Sequence, residues 1–170
     1  MNALEFLSSR PAEAARRRSP LDRALRSVRR GIELRDLSLT VAKFEVRGEL
    51  DGVAGEDLIR ITPRRGLVLG PFAEGEALET RLRAAVDTVI DVTGALAGLR
   101  IEAPDAVTLM RRLTDLDLEG LPAAGAVARV SAVVRGGGDV FELFWPQEYG
   151  HYLAEVVVDA ADGLEKRRLS

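Results

Sequence analysis

Val127-Ala-Arg-Val-Ser-Ala-Val-Val-Arg135, Gly136-Gly-Gly-Asp139 and Val140-Phe-Glu-Leu-Phe-Trp145-Pro146 together form the stretch that decides the fold class. Two runs rich in β-branched and aromatic residues flank a glycine turn, the pattern of an antiparallel hairpin. The three glycines are not a phosphate loop. No Gly-Lys-Ser/Thr follows, and the chain continues as a strand instead of a helix whose N–H groups would converge on an anion. Pro146 stops the second strand and opens a helix on which Tyr149, Tyr152 or Leu153, Val156 and Ala160 share a face, ending at Gly163. Upstream, residues 88–93 and 96–102 read as two more strands. Pro104-Asp105 then opens a helix whose apolar residues Ala106, Leu109, Met110 and Leu113 form one stripe, and residues 115–125 read as a loop. Strand pairs alternating with helices exclude a doubly wound parallel sheet. They predict an α+β protein with mixed or antiparallel sheets and helices on one face.

The first half offers strands followed by one helix. Leu37, Leu39 and Val41 alternate with Ser38 and Thr40, and Phe44 and Val46 alternate with Glu45 and Arg47. The phase shift at Ala42-Lys43 predicts one long strand with a bulge. Residues 48–55 form an acidic turn region, 58–61 a second strand, and 67–69 a third that Gly70-Pro71 ends. Residues 76–87 are helical, with Leu78, Leu82, Ala85 and Val86 on one face. No short internal repeat is visible.

At 170 residues the chain fits one domain, and with 46% hydrophobic but only 5% aromatic residues its core must be aliphatic. The absence of cysteine excludes disulfides, thiolate nucleophiles, iron–sulfur ligation and Cys-containing zinc sites. No run approaches the ~20 apolar residues of a membrane span, and no basic segment precedes a long apolar stretch at the start, so a cytoplasmic protein is expected. Charge is uneven. Residues 1–30 hold eight arginines against Glu5, Glu13 and Asp22, although the whole chain is at −3. Within this basic arm a helix is predicted from about residue 20, with Ser19 as N-cap, Pro20 at the first helical position and a narrow stripe of Leu21, Ala24, Leu25 and Val28. Residues 31–164 form the α+β domain and 165–170 a charged tail. Arg16, Arg17, Arg18, Leu21, Leu25, Val28 and the aromatic residues Trp145, Tyr149 and Tyr152 are the candidates for a partner interface. Nucleic-acid binding through the arm is the less favoured reading, because no aromatic residues are interleaved to stack bases.

Residues that could carry chemistry are sparse. His151 is the only histidine, which excludes a two-histidine metal site; paired with Glu155 or Asp159 it would still need a nucleophile, and no Gly-x-Ser-x-Gly elbow exists. Asp115, Asp117 and Glu119 lack the glycine and the distant bidentate glutamate of a calcium loop. They read as a solvated edge with Leu116 and Leu118 pointing inward. No dinucleotide fingerprint is present. No residue is therefore assigned a catalytic, cofactor-binding or metal-binding role.

Val89-Ile-Asp-Val-Thr93, Leu99-Arg-Ile101, Ala103-Pro-Asp-Ala106, the helix over 109–113 and Asp115-Leu116 or Asp117-Leu118 follow one another in an order that resembles the folate-binding aminomethyltransferase superfamily, which includes the glycine cleavage T-protein. The nearer resemblance is to the gamma subunits of heterotetrameric sarcosine oxidase. It rests on Ser19-Pro20-Leu21, a leucine-rich stretch closing in Arg47-Gly48, and Phe141-Glu-Leu143 leading through a proline to an aromatic helix, over roughly residues 19–163. It implies a T-protein-like fold and a non-catalytic small subunit of a flavoenzyme that demethylates sarcosine or a related N-methyl amino acid. FAD, FMN, NAD and tetrahydrofolate would then sit on larger alpha and beta partner subunits, and no cofactor on this chain. In the catalytic branch a Gly-Gly-x-x-Asp-Asp hairpin supplies a working aspartate. Here Gly136-Gly137-Gly138-Asp139 runs straight into the last strand, so that role does not carry over to Asp139. The alternatives are a stand-alone folate-binding one-carbon protein and a nucleic-acid-binding protein.

Overall fold

The computed structural model describes residues 18–26, 31–53 and 55–168. Their strands are β1 (Glu33–Asp36), β2 (Val41–Arg47), β3 (Asp57–Thr62), β4 (Arg65–Pro71), β5 (Thr88–Asp91), β6 (Leu96–Glu102), β7 (Ala123–Val127), β8 (Val130–Gly137) and β9 (Val140–Pro146). Helices α1 (Gly75–Ala85), α2 (Ala106–Leu113) and α3 (Gly150–Arg168) complete the fold. The strands make two sheets, ordered β1-β6-β9-β8-β7 and β3-β4-β2-β5, with every pairing antiparallel.

Because side chains alternate along a strand, each sheet has two faces to cover. On the larger sheet Ala97, Leu99 and Ile101 of β6, Phe141, Leu143 and Trp145 of β9, and Val130, Ala132 and Val134 of β8 meet the Ala106, Leu109, Met110 and Leu113 stripe of α2 and Leu153, Ala154 and Val157 of α3. On the smaller sheet Ala42, Phe44, Val46 and Val68 meet Leu78 and Leu82 of α1. The opposite faces pack on each other through Leu37, Ile59, Leu67, Leu69 and Phe144. Each sheet thus carries its helices on one face and a second sheet on the other. Arg135 on β8 fastens the two sheets at one side, pairing with Asp57 on β3 and donating from Nε to Glu142 at 2.7 Å. Full burial of Trp145, Phe141 and Phe144 contributes about 1.5–3 kcal/mol each.

The expected long strand over 37–46 is instead two strands in different sheets. Residues 37–40 are a turn that carries the chain from the larger sheet to the smaller one, closed by Val41 N–H donating to the Leu37 carbonyl at 3.2 Å. The alternation of Leu37, Ser38, Leu39 and Thr40 imitates a strand, and the phase shift marks the crossing a few residues late.

A second crossing, from β5 back to β6, repeats the first nearly atom for atom. Asp36 Oδ1 accepts from Ser38 N–H at 2.8 Å, and Asp91 Oδ1 accepts from Thr93 N–H at 2.8 Å. Leu37 N–H donates to the Gly98 carbonyl at 2.8 Å, and Val92 N–H to the Lys43 carbonyl at 2.9 Å. Gly98 N–H donates to Ser38 Oγ at 3.1 Å, and Lys43 N–H to Thr93 Oγ1 at 2.9 Å. Strand pairing obeys the same relation: Glu33–Asp36 lies on Leu99–Glu102, and Thr88–Asp91 on Phe44–Arg47. Each half therefore gives its first strand to the edge of the other half's sheet. Both halves also end alike, in a strand, a proline (Pro71, Pro146), a three-residue 3-10 turn, a glycine (Gly75, Gly150) and a helix. Only short stretches of similar residues accompany the repeat, Asp36-Leu-Ser38 with Asp91-Val-Thr93, and Pro71 and Gly75 with Pro146 and Gly150.

Three other boundaries differ from the sequence reading. The expected loop over 115–125 contains the start of β7, which forms a hairpin with β8 through the two residues Ala128 and Arg129, both at positive φ (46° and 68°). Helix α3 runs through Gly163 to Arg168. In the arm the described residues form a turn and a 3-10 helix, Ala24–Arg26, where a helix from about residue 20 was expected; the Ser19 hydroxyl does accept from Leu21 N–H at 3.0 Å.

A methyl group at Gly98 would meet Leu37 Cβ and the Phe144 ring at 3.0 Å. Gly98→Ala should therefore destabilise the protein by about 1–3 kcal/mol in denaturant melts, while Gly137→Ala, with nothing within 4 Å, should be close to neutral. Arg129→Gly should raise stability by about 0.5–1 kcal/mol by relieving a left-handed residue in a hairpin turn that favours glycine; a loss of stability in the same melts would contradict this.

Candidate functional site

A cleft of about 650 Å³ opens where both crossings pass the start of α1. Its floor is apolar, made by Ala42 and Phe44 of β2 and by Leu96. Leu39 of the first crossing and Phe72 ahead of α1 form its sides and stay 39% and 43% exposed, much for large apolar residues. Gly94 of the second crossing and Gly75 also line it, and Arg18 and Pro20 form the opposite rim. Three carboxylates, Glu76, Glu79 and Asp91, face Arg18 around the mouth. Glu79 pairs with Arg83 at 2.5 Å; among the described residues no ion pair engages Glu76 or Asp91.

The two hydroxyls of the lining are committed to structure. Ser38 Oγ is held by the Gly98 backbone and Thr93 Oγ1 by the Lys43 backbone. No imidazole or thiol accompanies them.

Lys43 lies behind the cleft floor, on the face of β2 that looks toward the larger sheet. It is fully buried, and its ammonium donates to the carbonyls of Ser38 at 3.0 Å and Val41 at 2.9 Å, both beside the first crossing. Burial pushes its pKa down to about 8, a fall that the carboxylates of Asp36 and Asp91 partly oppose. Sequence reasoning passed over this residue because a lysine at a phase shift reads as solvent-facing. The signal that could have found it is scarcity, since the chain has only one other lysine, Lys166.

The structure does not gather the expected interface residues into one surface. Leu21 and Trp145 are fully buried in the core of the larger sheet, so neither presents a surface to a partner, and Leu25 is half-buried against the same core. Arg18 is exposed at the cleft rim. Tyr149 and Tyr152 are each 48% exposed around the start of α3, and Tyr152 donates its hydroxyl to the Ala128 carbonyl at 3.2 Å. Arg16, Arg17 and Val28 lie outside the described residues. His151 Nε2 sits 3.1 Å from Glu155 Oε1 on the surface of α3, with no nucleophile beside the pair. Among the described residues no group of His, Cys, Asp and Glu could hold a metal ion. Leu116 and Leu118 pack inward as expected between the acids of residues 115–119. No helix of the described residues is long and apolar enough to cross a membrane.

Comparison with known proteins finds likeness in structure alone. No family model and no curated protein matches the sequence. A chain of the heterotetrameric sarcosine oxidase from Corynebacterium sp. U-96, solved in complex with pyrrole 2-carboxylate, superposes with a TM-score of 0.71 at 17% identity, covering 86% of this chain and 95% of that one. The glycine cleavage aminomethyltransferase T from Bartonella henselae superposes with a TM-score of 0.56 at 14% identity, over 75% of this chain but 45% of its own length. The present chain thus spans less than half of that protein. The α+β fold implied by the resemblance is the fold observed.

The titration of Lys43 is measurable in stability. Because the folded pKa lies below the ordinary 10.5, the unfolded chain binds more protons between about pH 8 and 10.5, and stability should rise with pH across that window. The gain is on the order of 3 kcal/mol, complete above pH 10.5 and lost as pH falls through about 8. Denaturant melts of the wild type and Lys43→Met at matched pH should differ by this slope; parallel pH profiles would show that Lys43 does not titrate as described.

Proposed function

We propose that this chain is a small, non-catalytic subunit of a flavin-dependent oxidase acting on sarcosine or a related N-methyl amino acid, contributing to assembly and stability. One observation carries the reading: the fold overlays nearly the whole of both chains in the comparison with a protein described as heterotetrameric. The composition of the cleft agrees with it, since its polar groups are carboxylates and structurally committed hydroxyls. FAD, FMN, NAD and tetrahydrofolate would be held by larger alpha- and beta-type partners. Tyr149 and Tyr152, exposed and one helical turn apart, are the surface aromatic residues best placed to anchor such a partner.

A folate-binding protein is the second reading, favoured by the overlay on the aminomethyltransferase. The two separate in one pair of experiments. Co-expression with alpha- and beta-type flavoprotein subunits should yield a stoichiometric complex carrying flavin absorbance, and tetrahydrofolate at millimolar concentration should leave the melting temperature of the isolated chain unchanged. A chain that never co-purifies with such subunits would sink the subunit reading. A folate-dependent shift of several degrees would favour the second.

A further inference from the structure

The hairpin between β7 and β8 closes through two residues, Ala128 and Arg129, at φ 46° and 68°. A two-residue hairpin needs left-handed backbone at both positions, and glycine or asparagine adopts it at least cost, because any other L side chain crowds the carbonyl that follows it. Neither residue here is of that kind. The turn is nevertheless held from two sides. Ala128 N–H donates to the Leu113 carbonyl at 2.6 Å, which ties the turn to the end of α2. The Ala128 carbonyl accepts from the Tyr152 hydroxyl at 3.2 Å, which ties it to the start of α3. Strained backbone that its surroundings hold in place, where glycine would relieve it, gathers at functional sites.

What this turn displays is a guanidinium. Arg129 is exposed, and among the described residues no ion pair engages it, whereas the strand arginines Arg35, Arg47, Arg60, Arg65, Arg100 and Arg135 each hold a carboxylate. Arg111 and Arg112, in the last turn of α2 to which the hairpin is tied, are exposed as well and outside every ion pair of the described residues. With Arg129 they outnumber Asp115, the acid next along the chain. Tyr152, which holds the turn, and Tyr149, one helical turn away, are each 48% exposed. Arginine and tyrosine are residues on which interfaces concentrate their binding energy. We propose that Arg129 is a docking arginine whose partner is a carboxylate on a larger subunit of the oxidase complex, with Tyr152 and Tyr149 packing around the contact. The guanidinium fork matches a carboxylate with two parallel N–H bonds, and a turn already fixed before docking loses little freedom in making them. The proposal rests on the subunit reading above and supplies the chemistry of its contact.

Arg129→Gly tells strain kept for docking from strain without a use, because its two effects have opposite sign. The isolated chain should become more stable in denaturant as glycine relieves the turn. The same full-length variant should leave an immobilised complex of the alpha- and beta-type flavoprotein subunits about 30-fold faster than the wild type, the size of a hot-spot loss. Ala128→Gly relieves the neighbouring residue but keeps the guanidinium, so it should stabilise the chain and dissociate like the wild type. Arg129→Lys keeps the charge without the fork and should fall between the two. A wild-type rate for Arg129→Gly would overturn the proposal and leave the subunit reading standing; a wild-type chain that forms no complex with such subunits would overturn both. Dissociation of Ala128→Gly as fast as that of Arg129→Gly would overturn it by assigning the effect to the turn instead of the guanidinium. Self-association of the isolated chain that Arg129→Gly abolishes would do so by assigning the contact to a second copy.

Discussion

The exchange of first strands between two sheets rests on a few backbone hydrogen bonds at the crossings. Gly98 offers its carbonyl to Leu37 and its N–H to Ser38; Lys43 does the same for Val92 and Thr93. The Gly98 bond to Ser38 is buried and the Lys43 bond to Thr93 half-buried, and leaving the buried one unmade would cost about 1–3 kcal/mol. An aspartate two residues before each hydroxyl fixes the turn that delivers it. Once the two crossings are fixed, β1 must close one sheet, β5 must close the other, and the face-to-face packing of Leu37, Leu67, Leu69 and Phe144 follows from the connectivity.

The two crossings differ in one way that shapes the interior. Gly98 is paired with Phe144 across its ladder, and Lys43 with Leu69. Glycine makes room for an aromatic ring in one half, and a long lysine stem lies beside a smaller leucine in the other. The cost of the second arrangement is a buried ammonium, which the carbonyls of Ser38 and Val41 offset in part. A scaffold so organised commits these polar groups to its own integrity, while the cleft lies on one side and Tyr149 and Tyr152, around the start of α3, are exposed on another.

Much of the fold was legible because periodicity and punctuation agreed. The stripe Ala106, Leu109, Met110 and Leu113 is the buried face of α2, Leu78 and Leu82 that of α1, and Gly136 to Asp139 turns a hairpin as its glycines predict. The failures share a cause: local pattern cannot see tertiary context. Ala123-Ala-Gly-Ala-Val127 has little intrinsic strand preference, and its turn uses alanine and arginine where glycine or asparagine would signal a hairpin, so β7 was hidden. Trp145 reads as an interface anchor on a strand whose successive residues Leu143, Phe144 and Trp145 are all buried, because both faces of that strand are covered. The cleft was not legible at all. It is lined by residues of β2, both crossings and the start of α1, places far apart in the chain.

Strand exchange also bears on how the chain comes off the ribosome. β1, which ends at Asp36, has no partner until β6 has been synthesised from Leu96 onward, and the smaller sheet in turn stays unclosed until β5 emerges. During that interval β1 is an unpaired edge, a template for pairing with another nascent chain. Its alternate residues are Glu33 and Arg35, paired with each other at 2.8 Å and exposed in the finished protein. Charged residues at those positions discourage intermolecular pairing, so a short strand of little consequence to the core is written to keep the unfinished molecule to itself.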